Sequence, residues 1–295
     1  MLSIHFPRLN RVILLFCIFV TAGANELLAR PRPPQPPLPE LQLQSWHFDQ
    51  SNWVEAASSP VLLTRNLTLV ESWSGYALRM SGDKPRQLVI PTITESRNMT
   101  EGRTINLAGG AGSIRFWFSP AWASTSAGGT GPEGWARLLE VGRPNNSRAE
   151  FSMTLAVDPA GRRLVLSAQA EGEPVTYLDA KIAWASNAWH QVALVYSAQG
   201  VALVVDGSLA AASDKSPPWP ETRVWSQLAF SFGSGLRGQD LAQGQLDNLT
   251  TFSFPLNAER LAERYHPLAA VAKLGPITDE EITQYHSVCF SIPSF

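Results

Sequence analysis

From Ser45 to about Phe254 the chain is a succession of short apolar or alternating runs separated by Gly, Pro, Asn and Ser, among them "GYALRMSG", "RQLVIP", "GSIRFWFSP", "RLLEVG" and "VWSQLAFSFG". Runs this short, punctuated by turn residues, predict an antiparallel all-β sandwich rather than alternating βαβ units. Within "FSMTLAVDPAGRRLVLSAQ", Phe151 to Val157 and Arg163 to Ala168 flank Asp158-Pro-Ala-Gly161, a turn with Pro after Asp and Gly at its close. The first of these strands alternates Phe151, Met153, Leu155 and Val157 against Ser152, Thr154 and Ala156, so one face belongs to the core and the other is more polar.

In "HQVALVYSAQGVALVVDGSLAA", Val192 to Tyr196 and Val201 to Val205 flank Ser197-Ala-Gln-Gly200, and Asp206-Gly207 is a tight-turn signal before Ser208 to Ala212. These strands are apolar on both faces, which predicts a central position covered on each side. On this reading Asp206 is a turn residue before it is a catalyst. His190 is a strand histidine satisfied by a neighbour, since the sequence names no partner acid for a general base. Helix is expected only late. "PLNAERLAERY" offers Asn257 as N-cap with Leu261 and Tyr265 on one face, and "ITDEEITQYH" offers Thr278 with Glu281 as a capping box.

The first residues change the picture. Arg8 and Arg11 precede the apolar run Val12 to Val20, and Ala22 and Ala24 follow, the pattern of a cleaved signal peptide; an uncleaved signal anchor is the alternative. The run is short for a membrane span, and no other segment approaches the roughly 20 apolar residues a transmembrane helix needs. "RPRPPQPPLPE" then forms an extended spacer that proline density keeps out of helix and sheet. The expected organisation is a signal peptide at 1–24, a proline-rich spacer at 25–43, the sandwich domain at 44–266 and a C-terminal tail at 267–295. The tail closes no recognisable element, so a fragment of a longer protein stays open. Secretion or display at the cell surface follows from this reading.

Of 295 residues, 44% are hydrophobic, enough for a sizeable core. The net charge is -2; cleavage removes Arg8 and Arg11 and no acid, leaving 21 of the 23 basic side chains against 25 acids. Nucleic acid and anionic lipid are therefore poor partners. Of the two cysteines only Cys289 survives cleavage, so the mature chain has no internal disulfide. Asn66, Asn98, Asn145 and Asn248 head glycosylation sequons, relevant only in a eukaryotic cell.

"AWHQVALVYSAQGVALVVDGSLAA" and "GQLDNLTTFSFPLNAERLAERY", supported by "GYALRMSGDKPRQLVIP" and "GSIRFWFSPAWAS", resemble the concanavalin A-like superfamily and, within it, the laminin G-like, pentraxin-type jelly rolls. The resemblance covers Gln44 to Tyr265. It implies a two-sheet jelly roll with short C-terminal helices, and a ligand drawn from sugars, proteins or steroids. It also implies calcium as the one candidate cofactor, with Asp247 and Asn248 matching the last-strand pair and Asp49 the first strand; no further ligand can be matched.

A hydrolase on this fold needs two carboxylates, which the similar retaining enzymes carry as Glu-x-Asp-x-x-Glu; no such array occurs, the closest clusters being Glu171-Gly-Glu173 and Asp279-Glu280-Glu281. There is no Gly-x-Ser-x-Gly elbow either. All ten tryptophans lie between Trp46 and Trp225. Trp46, Trp117 and Trp189 sit inside strand patterns and read as core, whereas Trp122, Trp135 and Trp219 lie in Gly- and Pro-rich stretches and are expected to be exposed. With Trp225 they make a candidate stacking surface for sugar rings, provided that the loops Ala121 to Trp135 and Ser216 to Trp225 share one rim. The sequence thus reads as an exported, non-enzymatic recognition domain that binds carbohydrate. The alternatives are a protein-protein adhesion or structural module of a larger surface protein and, furthest, a glycoside hydrolase.

Overall fold

In the segment "GSIRFWFSP", Ile114, Phe116 and Phe118 are fully buried on one side of the strand while Arg115 stays half-buried on the other. The same period of two recurs in neighbouring runs and forces two sheets to pack on their apolar faces. The computed structural model describes residues 42–49, 61–82, 84–95, 102–144, 151–170 and 172–272. The signal segment, Arg30 to Glu40, Trp53, Asn98, Asn145, Glu171, the expected helix around Thr278 and Cys289 lie outside the described residues.

In chain order the strands are β1 (Gln42–Trp46), β2 (Leu63–Arg65), β3 (Thr68–Ser72), β4 (Gly75–Arg79), β5 (Gln87–Pro91), β6 (Ile93–Glu95), β7 (Arg103–Ile105), β8 (Gly112–Pro120), β9 (Ala136–Gly142), β10 (Ser152–Val157), β11 (Arg163–Gln169), β12 (Val175–Lys181), β13 (His190–Ser197), β14 (Gly200–Val205), β15 (Ser208–Ser213), β16 (Ala229–Phe232) and β17 (Gly244–Phe252). Among the described residues two α-helices join them, α1 (Thr222–Trp225) and α2 (Ala258–Ala272). One sheet runs β15-β14-β13-β8-β17-β4-β3, with β1 added on β17; the other runs β12-β11-β10-β9-β16-β5-β2; β6 and β7 form a separate ribbon. Every paired strand is antiparallel, as the all-β jelly-roll expectation requires.

The two hairpins read from sequence form in register. Val157 pairs with Leu164 across the Asp158 turn, where Asp158 Oδ1 accepts the N–H groups of Arg162 and Arg163 at 2.6 and 3.0 Å. Val205 pairs with Ser208 across Asp206 and Gly207, both at positive φ (52° and 73°), the geometry of a type I′ turn. β13 lies between β14 and β8, as expected for an interior strand.

Both faces of β13 are indeed covered. Val192, Leu194 and Tyr196 enter the main core between the sheets. On the outer side Ala193 joins Val204, Phe252, Leu256 and Leu261, so the segment after β17 and helix α2 roof this sheet. Asn257 caps α2 as expected, its Oδ1 accepting the Arg260 N–H at 2.9 Å. Two boundaries differ from the expectation. Gln42 and Leu43, assigned to the spacer, belong to β1, because Gln42 pairs with Phe252. Helix α2 runs on to Ala272 rather than ending near 266, because Ala269 and Ala272 pack against Trp73 and Trp117.

Candidate functional site

The four candidate tryptophans do not form one surface. Trp122 is only 7% exposed; its Nε1 donates to the Ala242 carbonyl at 3.1 Å and its ring stacks on Trp184 at 6.2 Å. Trp225 is 3% exposed, with Nε1 donating to the Leu107 carbonyl at 2.9 Å. Trp219 is half-buried, 4.7 Å from the Tyr196 ring. The two loops also lie at opposite ends of the sandwich. Tyr196, which Trp219 packs on, pairs with Gly112 at the start of β8, whereas Trp122 follows Pro120 at its end, roughly 30 Å along a nine-residue strand. The expectation of an exposed Trp122 and a shared rim is therefore corrected: Gly- and Pro-rich flanks mark the backbone as irregular, but the indole still falls inward wherever a hydrophobic gap awaits it. Trp135, at 48% exposed, is the member of the set open to solvent.

Asp49, Asp247 and Asn248 do come together, within a hydrogen-bonded cluster between β17, the end of β1 and the β3–β4 turn. Asp247 is fully buried; its Oδ2 accepts the hydroxyls of Ser72 and Ser74 at 3.1 and 2.6 Å, and its Oδ1 accepts the Asn248 N–H at 2.7 Å. Burial pushes its carboxyl up to about 7 against the pull of these donors, with Asp49 adding to the rise. Asn248 Oδ1 meets His47 Nδ1 at 2.6 Å, and its Nδ2 donates to Ser74 Oγ at 3.1 Å. Asp49 Oδ1 accepts the Tyr76 N–H at 3.3 Å. Calcium asks for about six to eight oxygens. The described residues offer two carboxylates and one amide oxygen, already engaged with protein partners, and no group of three or more His, Cys, Asp or Glu suited to a metal occurs among them. They do not make a calcium cage.

His190 does have a partner acid, which the sequence left unnamed: its Nδ1 lies 2.7 Å from Asp206 Oδ2. The ring stacks on Trp184 at 4.9 Å and its Nε2 is buried without a hydrogen-bond partner among the described residues. Through Asp206 the ring ties the start of β13 to the β14–β15 turn.

What reasoning from sequence missed is a trough of about 490 Å³ on the outer face of the seven-stranded sheet. Its floor is the polar face of the β10–β11 hairpin, made of short side chains: Thr154 pairs with Ser167, Ala156 with Val165 and Ser152 with Gln169. One bank rises from Trp135, Arg137, Glu140 and the loop carrying Gln239 and Asp240; the other rises from β12. A bulge between β9 and β10 brings both Arg137 and Glu140 to the outer face. Arg137 lies 2.9 Å from Glu140 Oε1 and 2.7 Å from Asp240 Oδ2, and Glu140 Oε2 accepts the Leu236 N–H at 2.8 Å. The bank is thus held by ion pairs before any ligand arrives. The alternation of the hairpin was legible, but the loop at 237–240 that walls it comes from some 80 residues further along the chain.

Several known proteins share this architecture. The Laminin_G_3 family model, described as the concanavalin A-like lectin/glucanases superfamily, matches residues 94–262. Domain 4 of AbnA, a GH43 extracellular arabinanase from Geobacillus stearothermophilus, solved in complex with arabinotriose, is similar at a TM-score of 0.51 and 13% identity, over 76% of this chain and 97% of that one. The binding domain of Paraclostridial Mosquitocidal Protein 1 is similar at a TM-score of 0.51 and 11% identity, over 78% of this chain and 52% of that one, so this chain spans about half its length. Identities this low carry the fold alone. A search of curated proteins finds no match.

Proposed function

The chain belongs to the Laminin_G_3 family of the concanavalin A-like lectin/glucanases superfamily, and from that premise we propose that it is a non-catalytic recognition domain whose trough on the seven-stranded sheet binds carbohydrate. One observation carries the reading: an exposed indole, Trp135, borders a floor of short side chains and a bank of hydrogen-bonding groups. Sugars present flat C–H faces that stack on aromatic rings and hydroxyls that pair with Gln, Asp and Arg. The two bank carboxylates, Glu140 and Asp240, share Arg137 and brace the wall, which supports binding over hydrolysis.

Titration of the purified domain with soluble glycans tests this, and arabino-oligosaccharides are natural first probes because the similar domain was solved with arabinotriose. Binding that disappears in Trp135→Ala supports the proposal. Attachment to a protein partner alone, undisturbed by free sugar, would replace it with the adhesion reading. Release of shorter products from a polysaccharide would replace it with the hydrolase.

The proposal includes export, resting on Arg8, Arg11 and the apolar run that follows. No helix among the described residues is long and apolar enough to cross a membrane. Mass spectrometry of the exported protein should find residues 1–24 gone; Met1 on that protein would refute cleavage.

A further inference from the structure

We infer that the trough holds about four consecutive units of an uncharged, linear polysaccharide, lying along β10 and β11; this rests on the carbohydrate reading above. Trp135 stands at one end, beside Ala136, which pairs with Val157. From there the floor descends through Ala156 and Val165, then Thr154 and Ser167, then Ser152 and Gln169. The hollow opens to solvent along this floor. The six residues of β10 alone make a floor roughly 20 Å long at about 3.3 Å per residue, room for about four sugar rings.

The floor alternates in character. Beside Trp135 it is apolar, with Ala156 opposite Val165, which suits the C–H face of a ring against the indole. The next row crosses three strands as Thr154, Ser167 and Thr176, paired in register, and these hydroxyls have no side-chain partner among the described residues. Hydroxyls without protein partners on an open floor are the groups that a sugar's own hydroxyls can meet.

Charge decides against acidic polymers. The hollow carries Arg137 and Arg237 against Glu140 and Asp240, with Arg137 paired to both acids. A polymer with repeated carboxylates or sulfates would bring charge that the hollow does not neutralise.

The experiment is calorimetric titration with arabino-, cello- and manno-oligosaccharides of two to six units, and with polygalacturonate, on the wild type and on Ser167→Trp, which fills the floor at its centre. At least one neutral series should gain tenfold or more in affinity between two units and about four, and level off beyond. Ser167→Trp should abolish the gain with length while keeping the wild-type unfolding midpoint. Affinity already complete at two units, preference for polygalacturonate, or an unchanged length profile in Ser167→Trp would each overturn the inference and leave carbohydrate binding standing. Binding to none of these chains would overturn the carbohydrate reading with it.

Discussion

Nδ1 of His190 lies 2.7 Å from Oδ2 of Asp206, tying the start of β13 to the β14–β15 turn. The other carboxylate oxygen accepts the Gln191 N–H at 2.9 Å, so one turn residue serves two partners on the neighbouring strand. Asp206 is both a turn residue and a strut.

Asp206→Ala should therefore destabilise the fold by about 2–4 kcal/mol, since it leaves two partly buried polar groups unpaired and places a Cβ residue without a compensating bond at φ 52°. Denaturant unfolding measures this. A change below about 0.5 kcal/mol, the range of an ordinary surface site, would show that the pair does not brace the turn.

Asp247 makes stability depend on pH in a particular direction. Its carboxyl is pushed up to about 7 in the folded state from 3.8, so across that window the folded protein keeps a proton that the unfolded chain releases. Stability from this group is then greatest below pH 4, falls as pH rises toward 7, and levels above it, each unit of separation being worth about 1.4 kcal/mol. Urea unfolding between pH 4.5 and 8 should show that decline, and Asp247→Asn should flatten it. A wild-type curve that rises through this window would refute the assignment.

Trp135 and Trp122 should separate binding from stability. Trp135→Ala should leave the unfolding free energy within about 0.5 kcal/mol of wild type while weakening glycan binding by roughly 1–3 kcal/mol. Trp122→Ala should cost about 3–5 kcal/mol of stability, because it empties a space between Phe118 and Trp184. Equal losses of stability in both variants would return Trp135 to the core.

Gly207 sets how closely helix α2 approaches the β14–β15 turn. A Cβ there would meet Tyr265 Cδ1 at 2.8 Å, and φ is +73°. Gly207→Ala should cost about 1–3 kcal/mol, from the left-handed backbone and the displaced ring. The near-ultraviolet circular dichroism of Trp117, whose ring stacks on Tyr265 at 5.8 Å, should change with it. An unaltered spectrum would mean that the helix docks independently of this contact.

The elements themselves were legible because they rest on short-range physics. Asp158 and Gly161 mark their turn by backbone chemistry, Asp206 and Gly207 by tolerance of positive φ, and Asn257 its helix by a side chain that caps. Alternation assigned Met153 and Leu155 to the core and Thr154 to the outer face. Apolarity on both faces of β13 announced a second cover, and helix α2 supplies it.

Where side chains meet was another matter. Trp122 and Trp135 lie thirteen positions apart in similar surroundings, yet one is buried between aromatic rings and the other borders the trough. Nothing local distinguishes them, because exposure of an indole depends on whether distant strands leave a gap beneath it. His190 met its acid only when β13 and the turn after β14 were set side by side, and Arg137 met Asp240 across more than a hundred residues. Sequence by itself determined the period, the turns and the fold class, which local sterics and hydrophobic alternation dictate. Tertiary structure decided the buried pairs and the walls of the trough, because those depend on which strands become neighbours.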